Sequence, residues 1–394
     1  MIGTQQSRKN SLTSLILVAV MLAAVVVLDQ VIKPTDSMSM LLKVLQKGSI
    51  YALAAVSMNL LNGFTGLFSL GQAGFMLIGA YVYGMLNIPV ADRAAVYQYF
   101  DGGIIQFSLV EGISAALGPV AGLLIGVLLG LLIAGLAAAV FAWLIGLPVL
   151  RFRSDYLAIA TLGFAEIIRA FFQWDGLGPI TNGSNLLRKF TNFDNFNIRS
   201  GGKVVVNLST TVTVLIAALC ILVIILVINS TYGRAFKAIR DDEVAAEAMG
   251  INLARHKMLS FVISAFFAGI AGGMLAMYQT TAQALAFKTA MTYEILLIVV
   301  IGGIGSVTGS CISSFIFIGA SEWWLRFLDM ETSNFIPGLN IMRPGFRKVV
   351  FSVAIMIIVL FFRKGIMGER ELNVRGAGRW LRQKLGGKSV KEAK

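Results

Sequence analysis

VAGLLIGVLLGLLIAGLAAAVFAWLIGL, residues 120–147, is an unbroken run of 28 residues without a charged side chain. A helix needs about 20 apolar residues to cross the hydrocarbon core of a bilayer, so this run is long enough to span a membrane. Its residues do not alternate between apolar and polar, as the strands of a membrane barrel would. The run therefore predicts a transmembrane helix.

Small residues recur at every fourth position along the same run. Positions four apart form one inclined ridge on a helix, and a ridge of glycine and alanine lets a neighbouring backbone approach closely. A later apolar run, residues 259–277, repeats the pattern in two adjacent rows. We interpret both sets as surfaces for tight helix packing, formed by Gly122, Gly126, Gly130, Ala134, Ala138, Ala142 and Gly146 in the first run and by Ala265, Gly269, Gly273, Ala268, Gly272 and Ala276 in the second.

The composition extends this interpretation to the whole chain. Hydrophobic residues make up 57% of it, charged residues 13%, and the mean hydropathy is +0.80. These values exclude an ordinary soluble domain of this length and predict an all-α, polytopic transmembrane bundle. We expect about ten spans, near residues 12–28, 45–61, 66–86, 120–147, 156–172, 208–228, 259–277, 292–303, 308–326 and 347–362, some of them short or interrupted by glycine.

Basic residues are concentrated at the C-terminal end. Residues 363–394 carry ten positive and three negative charges. By the positive-inside rule this places both termini in the cytoplasm, with a transmembrane domain over residues 1–362 and a basic cytoplasmic tail over 363–394. Attraction to anionic membrane lipid explains the charge of the tail. No aromatic-interleaved basic surface accompanies it, so we expect no nucleic-acid partner.

Two stretches are interrupted by glycine: NGFTGLFSLGQAGF (residues 62–75) and GGIGSVTGS (residues 302–310). A helix over residues 292–303 would extend only about 18 Å, less than the ~30 Å hydrocarbon core. Discontinuous helices of this kind often line a central transport pathway. Sharp turns between ordinary helices are an equally good interpretation.

Charged side chains inside the predicted spans are sparse. Each costs about 2.5–3.5 kcal/mol at the bilayer centre on insertion scales, so each needs a partner or water. Glu166 and Arg169 lie three residues apart on one helix face, which predicts an intramembrane ion pair with a structural role, a role in gating being the alternative. The spans hold no series of acids such as a proton- or sodium-driven pump usually has, so transport energy is expected to come from elsewhere.

The sequence lacks the parts of an enzyme. It contains no H-E-x-x-H, no G-x-S-x-G and no P-loop motif. His256 is the only histidine, and Cys220 and Cys311 are the only cysteines. We therefore expect no catalytic residue, no metal site and no cofactor bound by this chain.

A charged insert, GRAFKAIRDDEVAAEAMGIN (residues 233–252), separates two apolar runs. Asp241 or Asp242 can cap a helix, Glu243 suits the positive helix start, and Gly250 suits the left-handed position after the end. The insert thus predicts a helix of about two turns, with a solvated loop as the alternative. Because so short a helix is marginal in water, we expect another protein to support it.

Four blocks along the chain carry a resemblance to a known family: SDYLAIATLGFAEIIRAF (154–171), GPITNGSN (178–185), the insert at 233–252, and VVIGGIGSVTG (299–309). They resemble the membrane permease subunits of branched-chain amino-acid ABC importers, and the likeness covers roughly residues 45–365. The resemblance implies a multi-pass protein of the bacterial cytoplasmic membrane. Its implied partners are a second homologous permease, two cytoplasmic ATP-binding subunits that use ATP and Mg, and an extracytoplasmic substrate-binding protein.

The resemblance also implies that residues 229–258 form the cytoplasmic coupling loop, which docks on the ATPase. The wider importer class has a glutamate before two alanines of this loop, whereas here Val244 occupies that position and Glu243 lies beside it. The residues implied in coupling are Arg240, Asp241, Asp242, Glu243, Ala246, Glu247, Met249 and Gly250.

Substrate would then pass between two permeases by alternating access. The predicted pathway residues come from the interrupted stretches: Asn59, Asn62, Gly66, Gln72, Gly302, Gly303, Gly305 and Ser306. The implied cargo is branched-chain amino acids, with urea, short amides or other amino acids as the alternative, and a secondary transporter that works without an ATPase as a further one. Loops at about 87–118 and 173–207 are expected on the extracytoplasmic side, and the first of these has no assigned role.

Overall fold

The structure is a computed structural model that describes residues 25–31, 38–150, 154–200 and 203–325, together with 349–350, 352–353, 356 and 365–368. These residues form a bundle of helices, which confirms the predicted helical class. Most of the predicted spans 12–28 and 347–362, and most of the basic tail at 363–394, lie outside the described residues.

The helices of the described residues follow one another along the chain, with the longest connection between α8 and α9. They are residues 25–31 (α1), Ser39–Asn59 (α2), Gln72–Asn87 (α3), Arg93–Val96 (α4), Leu109–Leu117 (α5), Pro119–Val149 (α6), Ser154–Gln173 (α7), Gly178–Thr181 (α8), Ser209–Asn229 (α9), Thr231–Asp241 (α10), Glu243–Ala248 (α11), Leu253–Gln279 (α12), Thr289–Gly302 (α13) and Val307–Gly319 (α14). Single π-helical turns, Leu60–Phe64 and Ala320–Trp324, extend α2 and α14.

Two small antiparallel ribbons, which the sequence did not predict, accompany the helices. Leu187–Arg188 (β1) pairs with Thr281–Ala282 (β4), and Ile198–Ser200 (β2) pairs with Lys203–Val206 (β3). The first ribbon joins the loop after α7 to the end of α12, at the end of the bundle opposite to residues 229–258.

Four of the described helices are long and apolar enough to cross a membrane: α6, α7, α9 and α12. They coincide with the predicted spans at 120–147, 156–172, 208–228 and 259–277, although α12 begins earlier than predicted, at Leu253. A fifth span is possible if α3 and the bent segment Val90–Val96, which turns by 103°, are taken together. Because α13 and α14 would extend only about 20 Å, the total of ten spans stays a prediction.

α12 is the central helix of the bundle and packs between α3 and α6. A methyl group on Gly272 would overlap the Met76 carbonyl of α3, and one on Gly79 would overlap the Gly269 carbonyl of α12. On the opposite side, a methyl group on Gly269 would come within 2.6 Å of Ala138 Cβ in α6. Every small residue of the two predicted ridges is buried, so their role in helix packing is confirmed.

The loops at 87–118 and 173–207 fold against each other. The Tyr97 hydroxyl donates to the Ile180 carbonyl at 2.9 Å, and Lys189 forms a 2.7 Å ion pair with Asp92. Helices α4 and α5 belong to the first loop and α8 to the second. The two loops therefore form one folded layer over the end of α3.

The packing of α12 generates a stability prediction with a matched control. Replacing a helical glycine by alanine normally stabilises a helix by about 0.5–1 kcal/mol. At Gly163 in α7 an added methyl group meets nothing within 4 Å, so Gly163→Ala should be neutral or stabilising. Gly272→Ala should instead destabilise by about 1–3 kcal/mol, because the methyl group forces α12 away from α3. Thermal unfolding of the two variants in detergent measures this difference, and equal midpoints would contradict the close approach.

Candidate coupling and pathway site

A buried amide joins the two interrupted stretches of the sequence. Asn59, at the end of α2, is fully buried. Its Oδ1 accepts a hydrogen bond from the Gly305 N–H at 2.8 Å, and its Nδ2 donates to the Ser306 carbonyl at 2.9 Å and to Ser310 Oγ at 2.8 Å. Buried polar groups are costly unless they are hydrogen-bonded, so this amide fixes the turn between α13 and α14 against α2.

Glycine makes the contact between the two stretches possible. A Cβ atom on Gly63 would lie 2.5 Å from the Gly305 nitrogen, so neither backbone could approach the other if position 63 carried a side chain. Gly66, Gly303 and Gly305 have φ angles of +76°, +114° and +88°, a region that residues with a Cβ rarely adopt. The turn at 303–306 lets α14 fold back along α13. The second stretch is therefore a turn between two short helices.

Hydroxyl side chains hold the start of α3 after the first interruption. Gln72 Nε2 donates to Ser57 Oγ at 2.6 Å, and the Ala73 N–H donates to Thr292 Oγ1 of α13 at 3.1 Å. Within the loop itself, the Ser69 N–H donates to Asn62 Oδ1 at 3.1 Å. The sequence analysis named Gln72 and Asn62 but missed the hydroxyl groups of Ser57 and Thr292, whose only signal was a polar residue inside an apolar run.

Of the predicted pathway residues, Asn59 bonds to Gly305 and Ser306 of the second stretch, whereas Gln72 and Asn62 bond to Ser57 and Ser69. Asn59, Gln72 and Ser306 are buried, and the hydrogen bonds of their polar atoms are made within the chain. The exposed positions of the two stretches are instead Gly66, Phe68 and Ile304. A role of these stretches in a pathway stays a prediction.

The predicted short helix within residues 233–252 is confirmed as α11. Asp242 caps it, since its Oδ1 accepts from the Val244 and Ala245 N–H groups at 2.9 and 3.0 Å. Gly250 ends the segment with a φ angle of +84°. Lys257 of α12 forms a 2.7 Å ion pair with Glu243, which attaches α11 to the central helix.

The two faces of α11 differ. Ala246 is buried against the rest of the chain, with only 4% of its surface exposed. Val244 and Met249 are 78% and 83% exposed, and Glu247 lies on the exposed side with them. This face presents apolar side chains beside a carboxylate, a composition that suits a protein partner better than water.

Arg240 connects residues 229–258, the predicted coupling segment, with the first interrupted stretch and lies beside the second. Its Nη1 donates to the Gly63 carbonyl at 3.2 Å and would lie 3.3 Å from a Cβ on Gly305. A Cβ on Gly66 would lie 3.0 Å from Arg240 Cγ. Its Nη2 also forms a 2.9 Å ion pair with Asp241. Arg240 therefore points toward the bundle, whereas the resemblance had placed it among the ATPase contacts.

Two further ion pairs of the described residues lie within the bundle, away from residues 229–258. Glu166 and Arg169 meet at 2.7 Å as the sequence predicts, and Glu166 Oε1 also accepts from the Thr289 N–H at 3.3 Å, which ties α7 to the start of α13. A second pair, Lys47 with Glu322, joins α2 to the π-helical turn after α14. The sequence analysis missed it, although both charges fall inside predicted spans.

The comparisons with known proteins agree with this architecture. Residues 40–369 match the family described as branched-chain amino acid transport system, permease component. The chain belongs to this permease family. It is therefore a multi-pass integral membrane protein whose relatives are transport permeases.

The relatives include permeases of two names, LivM and LivH. The chain is 30% identical to the high-affinity branched-chain amino acid transport system permease protein LivM of Escherichia coli over 295 residues, which are 69% of this chain and 61% of LivM. It thus spans less than two thirds of the E. coli relative. A probable LivM of Methanocaldococcus jannaschii is 22% identical over 82% of this chain and 92% of its own length. The LivH permease of Salmonella typhimurium is 24% identical over 82% and 93%. No solved structure gives a significant match.

The amide of Asn59 generates a second prediction. Asn59→Leu keeps the volume but leaves the Gly305 N–H buried without this partner, at about 1–3 kcal/mol, and removes the amide's hydrogen bond to the Ser306 carbonyl, which still accepts from Ser310. Ser310→Ala removes one hydrogen bond of the same amide and should cost about 1 kcal/mol. We expect the thermal midpoint of the permease in detergent to fall clearly further for Asn59→Leu. If the two variants unfold at the same temperature, the amide does not hold the turn.

Proposed function

We propose that this chain is a permease subunit of an ATP-driven, binding-protein-dependent importer of branched-chain amino acids. It would act in the bacterial cytoplasmic membrane beside a second homologous permease, two cytoplasmic ATP-binding subunits and an extracytoplasmic substrate-binding protein. The ATP-binding subunits use ATP and Mg, and this chain carries no catalytic site of its own. Family membership supports the permease role, and the occurrence of LivM and LivH among its relatives supports a pair of permeases.

The observation that carries the coupling mechanism is the contact of Arg240 with Gly63. Residues 229–258 have an exposed face at Val244, Glu247 and Met249, onto which an ATPase subunit can dock. The same segment reaches the interrupted stretches through Arg240. ATP-driven movement of the ATPases would therefore reach the pathway residues through a direct hydrogen bond of this chain.

Movement would also pass from α11 to α12. The buried Ala246 and the Glu243–Lys257 ion pair attach α11 to α12. Because α12 makes close backbone contacts with α3 and α6, these helices would shift together as one body. The bundle and the coupling loop would then change conformation in one step, as alternating access requires.

The interrupted stretches would supply the walls of the pathway between two permeases. Their backbone groups and the side chains around Asn59 can contact the charged ends of a zwitterion once the hydrogen bonds to the turn at 303–306 rearrange. Selection among amino acids would belong mainly to the binding protein. In this proposal the coupling loop and both termini lie in the cytoplasm, and the loops at 87–118 and 173–207 lie outside.

Reconstitution tests the proposal. The chain is placed in liposomes with its candidate permease partner, ATPases and binding protein, and ATP hydrolysis is measured with and without leucine. We expect leucine-loaded binding protein to stimulate hydrolysis. Met249→Asp, at an exposed position, should abolish the stimulation and the copurification of the ATPase without unfolding the chain. Leucine transport in vesicles that hold no ATPase would overturn the importer and favour a secondary transporter.

Arg240 provides a separate prediction about coupling. Arg240→Gln removes the hydrogen bond to the Gly63 carbonyl but leaves the exposed face of α11 unchanged. We expect the ATPase to stay bound while leucine-stimulated hydrolysis falls by at least about tenfold, the effect of roughly 1.4 kcal/mol. Arg234→Gln on the same helix is the matched control, because Arg234 is exposed. An equal response of both variants would show that the contact with Gly63 does not transmit the signal.

A further inference from the structure

A groove lies at the end of the bundle that carries the coupling segment. It has a volume of about 730 Å³ and is formed where α6, α9, α10 and α12 meet. Its lining includes Trp143, Leu226, Tyr232, Arg255, Leu259 and Val262. Volumes of roughly 300–1,000 Å³ suit a ligand of the size of a long acyl chain with its polar end.

The lining changes from charged to apolar along α12. Arg255 lies two residues after the start of this helix, and Val262 follows seven residues later, about 10 Å deeper at 1.5 Å per residue. Trp143 and Tyr232 are half exposed at the same groove. Aromatic side chains of this kind occupy the boundary between headgroups and hydrocarbon. The groove thus combines a charge at its mouth with an apolar interior, and these complement the headgroup and the acyl chain of a phospholipid.

Among the described residues that line this groove, Arg255 alone carries a charge. Among the described residues, Arg240 is paired with Asp241, and Lys257 is paired with Glu243. No carboxylate of the described residues forms an ion pair with Arg255, which is exposed. A guanidinium binds a phosphate group with two parallel hydrogen bonds, so an anionic headgroup complements this position.

We propose that this groove binds an anionic phospholipid, with its phosphate on Arg255 and an acyl chain along Leu226, Leu259 and Val262. Under the orientation of the proposed function, the lipid belongs to the inner leaflet. It contacts α9, α10 and α12 at once, and Tyr232 of this groove also packs on His256, with ring centroids 6.2 Å apart. The lipid therefore stabilises the contact between the start of the coupling segment and the membrane-spanning helices.

Retention of lipid by the purified full-length chain tests this site. The protein is reconstituted in bilayers of equal parts phosphatidylcholine and phosphatidylglycerol, extracted, and examined by native mass spectrometry. We expect phosphatidylglycerol to be retained in preference to phosphatidylcholine. Arg255→Gln should lower its retention at least about tenfold, the loss of one charge-assisted phosphate contact. Val262→Trp, which fills the apolar end, should lower it as well, whereas Arg234→Gln, which removes an exposed charge outside the groove, should not.

Two results would overturn the lipid site. One is equal retention of both lipids by the unchanged protein, and the other is equal phosphatidylglycerol retention by Arg255→Gln and Arg234→Gln. A photo-crosslinking residue in place of Leu226, in the assembled complex, should attach to lipid; attachment to the second permease would make the groove a subunit interface instead. Because lipid retention requires neither ATP nor substrate, the outcome is independent of whether the chain works as an importer.

Discussion

The close contact of the α12 backbone with α3 and α6 is the constraint on which the bundle depends. Lipid tails are as apolar as leucine, so membrane helices gain little by hiding apolar side chains from lipid and associate through close packing and hydrogen bonds. Gly79, Gly269 and Gly272 remove the side chains that would separate these helices. The consequence is a central block whose parts cannot shift relative to one another without losing van der Waals contact.

Around this block, polar side chains fix the connections between helices by hydrogen bonds. Asn59 fixes the turn at 303–306, Gln72 and Thr292 fix the start of α3, and Arg240 attaches the coupling segment to Gly63. In a low dielectric such bonds are stronger than in water, and leaving them unmade is expensive. These hydrogen bonds lie where the backbone leaves the helical conformation. The residues that bond to the interrupted backbone therefore also connect the coupling segment with the proposed pathway.

The features that the sequence predicted are those encoded within a few residues. The ridges of α6 and α12 follow from a spacing of four, and the cap of α11 follows from Asp242 and Gly250. Contacts across large sequence separations were not predictable from one chain: Arg240 and Gly63 are 177 positions apart, and Lys47 and Glu322 are 275 apart. The glycines at 302–310 marked the interruption, but only the fold shows that it is a turn between two packed helices. Nothing in the local pattern of residues 87–118 indicated that this loop packs on residues 173–207.

Some parts of the chain are packed more rigidly than others, and this difference constrains how the proposed importer could move. α11 is attached to α12 by a buried alanine and an ion pair, and α12 packs closely on α3 and α6. Force applied to α11 would therefore move these four helices as one rigid body. Residues 65–71 and 303–306 are irregular and contain glycines at positive φ, which makes their conformations easier to change than those of the helices. Because Arg240 contacts the first stretch and lies beside the second, displacement of the coupling segment would act first where the backbone can yield. In the proposed importer, a change confined to these stretches would alter the exposure of Asn59 and Ser306 and would leave the glycine contacts of α12 intact.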